Sequence, residues 1–212
     1  MKKGLTELIF VIDKSGSMAP LVDDTIGGFN GLIYDQKQTD DPGFVTTVLF
    51  SNHTQILHDH LDLREVGIMT THDYKVEGST ALLDAVGTTI DKVQFRLDTT
   101  PEDQRPEHIL FAIITDGQEN ASSHYTKAQV QKMIQHQTNG HSWQFIFLGA
   151  NMDAVSEAGN IGISAAINYA ATDLGTRAVY GTVTAAISDL KCARAITTDS
   201  LNAAYDASLS SL

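Results

Sequence analysis

Short apolar runs alternate along the chain with segments whose apolar residues recur at helical spacing. The runs are strand-length, lack polar alternation and are rich in β-branched or aromatic residues; they cover Leu8–Ile12, Phe44–Phe50, Ile109–Ile114 and Phe145–Leu148. Strands that are covered on both faces have this composition. Because helical patterns lie between the runs, the sequence predicts an α/β fold with a mainly parallel sheet and crossover helices on both faces.

Four segments show helical periodicity. The first covers about residues 22–33, with apolar residues three or four positions apart, and Pro20 is placed to open it. The second begins near Thr80, and the shorter third covers about residues 125–137. The fourth covers about residues 179–190 in an alanine-rich C-terminal region.

One connection between strands is too short for a parallel crossover. Three residues separate Phe50 from Thr54, so residues 54–58 are expected to turn back as an antiparallel edge strand. A small further strand is expected near residues 166–169. The predicted sheet therefore has one antiparallel edge strand among up to six strands.

No proline-rich linker, internal repeat or charge block divides the 212 residues. This continuity predicts a single domain over residues 1–212. Its core is expected at about residues 5–160, and residues 161–212 are expected to form a mainly helical extension of the same domain.

The charge balance restricts the expected partners. Fourteen Lys and Arg residues stand against 26 Asp and Glu residues, which gives a formal net charge of −12. Binding to phosphate backbones or anionic lipid requires clustered cations, and the longest basic run is Lys2-Lys3. Neither nucleic acid nor a membrane surface is therefore an expected partner. The 42% of apolar residues also exceeds what a disordered chain carries.

The N-terminus and the cysteine content indicate a cytoplasmic protein. The first apolar stretch is short and lies between Glu7 and Asp13, unlike a secretory signal, and no run approaches the roughly 20 apolar residues of a membrane span. The single cysteine, Cys192, excludes an intramolecular disulfide and a thiolate zinc site. Cys192 is expected to be a small buried residue in a helix.

Candidate chemistry lies at the ends of two predicted strands. Asp13 ends the first apolar run and Asp116 follows the third, and the carboxyl ends of neighbouring parallel strands meet at one edge of a sheet. The nearby loops add three hydroxyls, those of Ser15, Ser17 and Thr80. Carboxylate and hydroxyl oxygens without sulfur or imidazole suit Mg²⁺. The alternative is that Asp13 and Ser17 only cap the helix that follows.

These residues carry a resemblance to a known family. Asp13-Lys14-Ser15-Gly16-Ser17 resembles the D-x-S-x-S signature of von Willebrand factor A-type (vWA) domains. Thr80 in Gly78-Ser79-Thr80 and Asp116 in Thr115-Asp116-Gly117 resemble the separate threonine and second aspartate of that family. The resemblance covers about residues 5–160. It implies a three-layer Rossmann-like fold with strand order 3-2-1-4-5, a sixth strand being left open, and an antiparallel third strand at the edge.

The resemblance also implies a metal-ion-dependent adhesion site (MIDAS). Ser15 and Ser17 would bind the metal directly, Thr80 directly or through water, and Asp13 and Asp116 mainly through water. The implied ion is Mg²⁺, with Mn²⁺ or Ca²⁺ as alternatives. Ser79 departs from the family, since many members have a second glycine there. The last 50 or so residues resemble a tail seen in small bacterial members.

In this family such a site binds proteins, so the resemblance implies a metal-dependent protein-binding module and no enzyme. The metal would take an Asp or Glu side chain of a partner protein. Small bacterial proteins of this type work with AAA-type ATPases, stress-operon proteins or secretion machinery, and no residue of this chain selects among them.

The main alternative function is a Mg²⁺-dependent phosphohydrolase of the haloacid-dehalogenase type with Asp13 as its nucleophile. Such enzymes need a second Asp two residues later, where this chain has Ser15, and a basic clamp for phosphate. Nucleotide-binding glycine motifs are missing after the first strand. Gly27, Gly28 and Gly31 are instead expected to let the first helix pack closely on the sheet.

Three smaller features remain: a group of histidines, the pair Glu119 and Asn120, and Trp143. His58 and His60, with His53 nearby, lie at strand spacing and indicate either a transition-metal site or the exposed polar end of an edge strand. Glu119 and Asn120 either shape the rim of the metal site or lie in a solvated loop. Trp143 is expected in the core.

Overall fold

The computed structural model describes residues 1–211. Its strands are β1 (Lys2–Asp13), β2 (Gly43–Phe50), β3 (Thr54–Asp62), β4 (Pro106–Thr115), β5 (Gln144–Ala150) and β6 (Ala165–Tyr169). Within these residues they form one six-stranded sheet in the order β3-β2-β1-β4-β5-β6. All neighbours pair in parallel except β2 and β3, which are antiparallel. The predicted order and antiparallel edge are confirmed, and β6 is the sixth strand.

The α-helices of the described residues are α1 (Val22–Lys37), α2 (Leu82–Thr99), α3 (Lys127–His141), α4 (Ala154–Asn160), α5 (Asp173–Lys191) and α6 (Thr198–Ser210). The four helices expected from periodicity correspond to α1, α2, α3 and α5. The expectation that Pro20 opens α1 is wrong, because Gly16–Leu21 forms a 3-10 helix that contains Pro20 and precedes α1.

The helices cover both faces of the sheet, which makes three layers. Alternate residues of β1 point to opposite faces: Leu8, Phe10 and Ile12 pack in one core cluster, and Ile9 and Val11 pack in the other. Helices α1, α5 and α6 supply residues to the first cluster, and α2, α3 and α4 supply residues to the second. Because β1 is buried from both sides, its sequence shows no polar alternation.

Of the three glycines of α1, Gly28 makes a close contact with a neighbouring helix, whereas a Cβ at Gly27 or Gly31 would meet nothing within 4 Å. A Cβ at Gly28 would lie 2.2 Å from Cδ2 of Tyr180, so the Tyr180 ring of α5 packs directly on the α1 backbone. The ion pair of Asp24 with Arg177 (3.2 Å) also joins the two helices. The expectation that Gly27, Gly28 and Gly31 let the helix pack closely on the sheet is therefore wrong, because only Gly28 makes a close contact and that contact joins α1 to α5.

Two single-residue expectations have opposite outcomes. Trp143 is 1% exposed and belongs to the core, as predicted. Cys192 is exposed and lies just after α5, so the prediction of a buried helical residue is wrong. Among residues 1–211, no helix has both the length and the apolar character needed to cross a membrane.

Candidate functional site

The two aspartates lie together because of the strand order. β1 and β4 are parallel neighbours with Ile12 opposite Ile114, so Asp13 and Asp116 emerge at the same edge of the sheet. The chain continues from β1 to β2 on one side, whereas β4 lies on the other side, which makes this edge a topological switch point. Ligands of open α/β sheets bind at such points.

The carboxylate of Asp13 is buried among neutral hydrogen-bond donors. Oδ1 accepts the backbone N–H of Ser15 (2.7 Å), and Oδ2 accepts the hydroxyl of Thr115 (2.6 Å). No Lys, Arg or His of residues 1–211 forms an ion pair with Asp13. Burial raises the pKa of Asp13 above its ordinary value, although these two hydrogen bonds oppose the rise. When Asp13 is ionised, no cationic side chain among residues 1–211 therefore balances its negative charge.

The two serines connect this position to the second aspartate. The hydroxyl oxygens of Ser15 and Ser17 are 3.1 Å apart, and Ser17 donates a hydrogen bond of 2.6 Å to Oδ1 of Asp116. Burial raises the pKa of Asp116 in spite of this bond. The alternative role of Asp13 and Ser17 as helix caps does not match the structure, since neither is the N-cap of α1 or of the preceding 3-10 helix.

Thr80 reaches the same place from the segment before α2. Asn120 holds it, because Asn120 Oδ1 accepts the N–H of Thr80 (2.9 Å) and the Asn120 N–H donates to the Thr80 carbonyl (3.0 Å). A Cβ on Gly117 would lie 2.8 Å from Oγ1 of Thr80 and 3.7 Å from Oδ2 of Asp13. The lack of a side chain at Gly117 thus leaves these oxygens free to approach one another.

The structure therefore brings all five predicted side chains to one edge of the sheet. Glu119 and Asn120 lie in an irregular loop beside the site, where Asn120 is exposed and Glu119 is half-buried. The loop is therefore solvated in part, and both residues also hydrogen-bond to the segment at Thr80 and Leu83. Glu119 accepts the N–H groups of Leu83 (2.8 Å), Ala121 (3.0 Å) and Ser122 (2.7 Å), so its carboxylate fixes the loop at the start of α2. Because its oxygens are occupied by these bonds, Glu119 supports the site and is not one of its oxygen donors.

Three residues near the site had no role in the sequence prediction. Thr115 donates to Asp13, and its position directly before Asp116 is the only signal that the sequence offers. Tyr74 donates its hydroxyl to the main-chain carbonyl of Asp13, and no motif marks it. Lys14 is buried, but its ammonium forms no ion pair with Asp13; it donates to Gln55 of β3 (3.1 Å) and lies 3.9 Å from the carboxylate of Glu77.

The histidines of β3 do not form a metal site. His58 stacks on Phe29 of α1, whereas His60 has a positive φ of 50° at a bulge and stacks on Phe44, 3.4 Å from the carboxylate of Glu7. The transition-metal interpretation is wrong, since no three His, Cys, Asp or Glu side chains of residues 1–211 are placed to share an ion. The exposed-edge interpretation is also corrected, because His58 is buried.

Comparisons with known proteins find the fold in solved structures. No family model matches the sequence, and no curated protein sequence matches it. A von Willebrand factor type A structure from Catenulispora acidiphila is similar with a TM-score of 0.59 and 16% identity, over 86% of this chain and 42% of that one. The ArnB paralog VWA2 from Sulfolobus acidocaldarius is similar with a TM-score of 0.54 and 16% identity, over 82% and 44%.

A third similar structure is proximal thread matrix protein 1 from the mussel byssus, which has a zinc-occupied MIDAS motif. Its TM-score is 0.59 at 15% identity, over 90% of this chain and 46% of that one. The chain thus spans less than half the length of each of these solved chains. At such identities the likeness concerns the fold alone: this chain has the mixed six-stranded Rossmann-like fold of von Willebrand factor A domains.

Proposed function

We propose that this chain is a metal-ion-dependent protein-binding module whose MIDAS consists of Asp13, Ser15, Ser17, Thr80 and Asp116. The observation that carries the proposal is the buried Asp13 carboxylate, which has neutral donors but no cationic partner among residues 1–211. A buried carboxylate without a counter-charge is costly, and a bound cation removes that cost.

The donor set fits a hard divalent cation. Two carboxylates and three hydroxyls supply oxygen only, which favours Mg²⁺ or Mn²⁺, with Ca²⁺ as an alternative. Ser15 and Ser17 would hold the ion directly and Thr80 directly or through water. Asp13 and Asp116 would act mainly through water, and the existing hydrogen bonds of Asp13 to Ser15 and Thr115 are consistent with that outer position. The zinc-occupied MIDAS of a mussel protein with the same fold supports a divalent ion.

The function that follows is recognition of a carboxylate on a partner protein. An ion held directly by neutral hydroxyls keeps most of its positive charge, so it prefers an anionic ligand from outside, an Asp or Glu side chain. The partner class suggested by the resemblance to small bacterial vWA proteins is an AAA-type ATPase or a stress-operon protein. In this proposal the chain binds and does not catalyse.

The phosphohydrolase alternative has weaker support. Asp13 is 0% exposed and both of its oxygens accept hydrogen bonds, so it is poorly placed to attack phosphate. Ser15 occupies the position where the general acid would stand, and the Lys14 ammonium is bonded to Gln55 rather than aimed at the site. No observation in the structure favours this second function over recognition.

The test is capture of a partner in Mg²⁺ and in EDTA, with Asp13→Ala as the site variant. Asp23→Ala is the matched control, because it removes an exposed acid in the first turn of α1 without touching the site. We expect wild type and Asp23→Ala to retain the partner in Mg²⁺ only, and Asp13→Ala to lose it in both buffers. Changing the partner's contacting carboxylate to its amide should abolish capture. Mg²⁺-dependent phosphate release that Asp13→Asn eliminates would instead establish the hydrolase.

A further inference from the structure

The irregular segment of residues 66–81, here called the strap, runs across the molecule from α1 to the candidate site. Near its start, Met69 exchanges two hydrogen bonds with the side chain of Asn30 on α1 (2.9 and 2.8 Å). Near its end it contains Thr80, one of the proposed metal donors. Between these points Tyr74 is 1% exposed and donates its hydroxyl to the main-chain carbonyl of Asp13.

We propose that Tyr74 is a positioning residue for the metal site: its hydroxyl holds the end of β1 in the orientation that directs the oxygens of Asp13 and Ser15 to the ion. This inference rests on the proposed function. The Tyr74 hydroxyl bonds to the main-chain carbonyl of Asp13 and to none of the five proposed metal-binding side chains. Tyr74 would therefore act through the backbone of Asp13.

The backbone contacts of the strap explain why this carbonyl matters. The N–H of Glu77 donates to the carbonyl of Lys14 (2.8 Å), and the N–H of Gly16 donates to the carbonyl of Gly78 (3.1 Å). Together with Tyr74, the strap therefore holds three backbone groups within residues 13–16. A peptide plane that rotates at Asp13 would move Ser15, whose N–H is bonded to the Asp13 carboxylate.

The Tyr74 contact is the only one of the three that a side-chain substitution can remove. Phe fills nearly the same volume, so Tyr74→Phe deletes the hydroxyl and leaves the packing. Burial raises the pKa of Tyr74 well above its ordinary value, so the phenol keeps its proton and remains a donor throughout the neutral range. The removed bond leaves the Asp13 carbonyl without this donor.

Tyr180 provides the matched control. It is 3% exposed, belongs to the same core cluster as Tyr74, and its hydroxyl has no hydrogen-bond partner among residues 1–211. Tyr180→Phe therefore makes the same chemical change at similar burial without touching the backbone of β1. A general effect of losing a buried phenol would be equal in the two variants.

The experiment measures Mn²⁺ affinity by calorimetry, and amide hydrogen exchange in the metal-free full chain, for wild type and both variants. For Tyr74→Phe we expect a dissociation constant about three- to tenfold higher, the range of one net hydrogen bond. We also expect faster exchange at the amides of Ser15 and Gly16, with unchanged exchange in β5. Tyr180→Phe should remain within about twofold of wild type in affinity, and its exchange at Ser15 and Gly16 should be unchanged.

Two outcomes would overturn the assignment. One is wild-type affinity together with wild-type exchange at Ser15 and Gly16 in Tyr74→Phe, and the other is equal effects of the two variants. If wild type itself binds no Mn²⁺, the proposed function fails, and the exchange at Ser15 and Gly16 in the metal-free chain still decides whether Tyr74 positions the end of β1.

Discussion

Glu7 lies in the middle of β1 and Asp13 at its C-terminal end, and both are fully buried, but the protein compensates only one of the two carboxylates. Oε1 of Glu7 is bonded to the guanidinium of Arg96 on α2 and lies 3.4 Å from the His60 ring of β3. Asp13 has only the neutral donors Ser15 and Thr115. The same strand therefore carries one neutralised charge and one that is not.

The pKa directions follow this difference. Burial by itself raises the pKa of Glu7, but the His60 ring and the charge of Arg96 lower it by more, so the net direction is down. Burial raises the pKa of Asp13, and hydrogen bonds from Thr115 and Ser15 do not reverse the rise. The charge of Asp116 adds a smaller upward contribution. The missing positive charge, more than repulsion between the aspartates, therefore distinguishes the candidate site.

The largest expected effect concerns the compensated carboxylate of Glu7. Arg96→Met should lower the free energy of unfolding by about 3 kcal/mol or more, because it leaves a buried carboxylate with only the His60 ring and the Thr46 hydroxyl beside it. The loss, measured by urea denaturation, should be the same in Mg²⁺ and in EDTA. Lys92→Met is the control, since its ion pair with Asp59 is exposed and should contribute less than about 1 kcal/mol. A smaller loss for Arg96→Met than for Lys92→Met would show that Arg96 does not compensate the Glu7 carboxylate.

The second effect concerns Asp13, whose negative charge has no cationic partner. A cation that binds the native state alone stabilises it by about 2.7 kcal/mol at a concentration 100 times its dissociation constant. Thermal melts in Mn²⁺ and in EDTA should therefore differ for wild type and for Arg96→Met. They should coincide for Asp13→Ala, which lacks the buried carboxylate. A metal-dependent shift that survives in Asp13→Ala would place the ion elsewhere.

The smallest effect is a gain. In metal-free protein Asp116→Asn should be more stable than wild type near pH 7, because the native pKa of Asp116 is raised above its ordinary value of 3.8. The sign follows from linkage. A carboxyl group whose pKa is higher in the native state than in the unfolded state favours folding below the unfolded pKa, and this contribution is lost as pH rises through the native pKa. The stability difference between variant and wild type should thus open above about pH 4 and vanish below it. Denaturation at several pH values measures it, and a gap that widens toward low pH would refute it.

Much of the fold could be predicted because the strands of this sheet are buried on both faces. The four apolar runs, the short connection before Thr54 and the small strand at Ala165–Tyr169 all carry their signal locally. Helix α4 has only seven residues, and α6 buries only Leu201 and Tyr205, so neither shows enough periodicity to be predicted. Contacts between distant segments, such as Gly28 with Tyr180, leave no local signal.

In the candidate site, too, the features with a local signal could be predicted from the sequence, and the contacts between distant residues could not. Four of its five oxygen-bearing side chains, those of Asp13, Ser15, Ser17 and Asp116, follow strand ends or belong to the D-x-S-x-S pattern, so the sequence predicts that they lie at one edge. Thr80 lies in the loop before α2, and the family resemblance indicated it. The supports of the site depend on side-chain orientation: Thr115 turns its hydroxyl to Asp13, and Tyr74 approaches from 61 positions away. The pairing of Glu7 with Arg96 likewise spans 89 positions, and nothing in either neighbourhood indicates it.

The most direct test of the central claim is a calorimetric titration of the full chain with Mn²⁺. Wild type should bind one ion, and the Asp13→Ala, Asp116→Ala double variant should bind none at the same concentrations, because it lacks both carboxylates of the proposed site. Arg96→Met should bind as wild type does, since Arg96 pairs with Glu7 in the middle of β1 and not with a residue of the proposed site. Equal binding by wild type and the double variant would contradict the account.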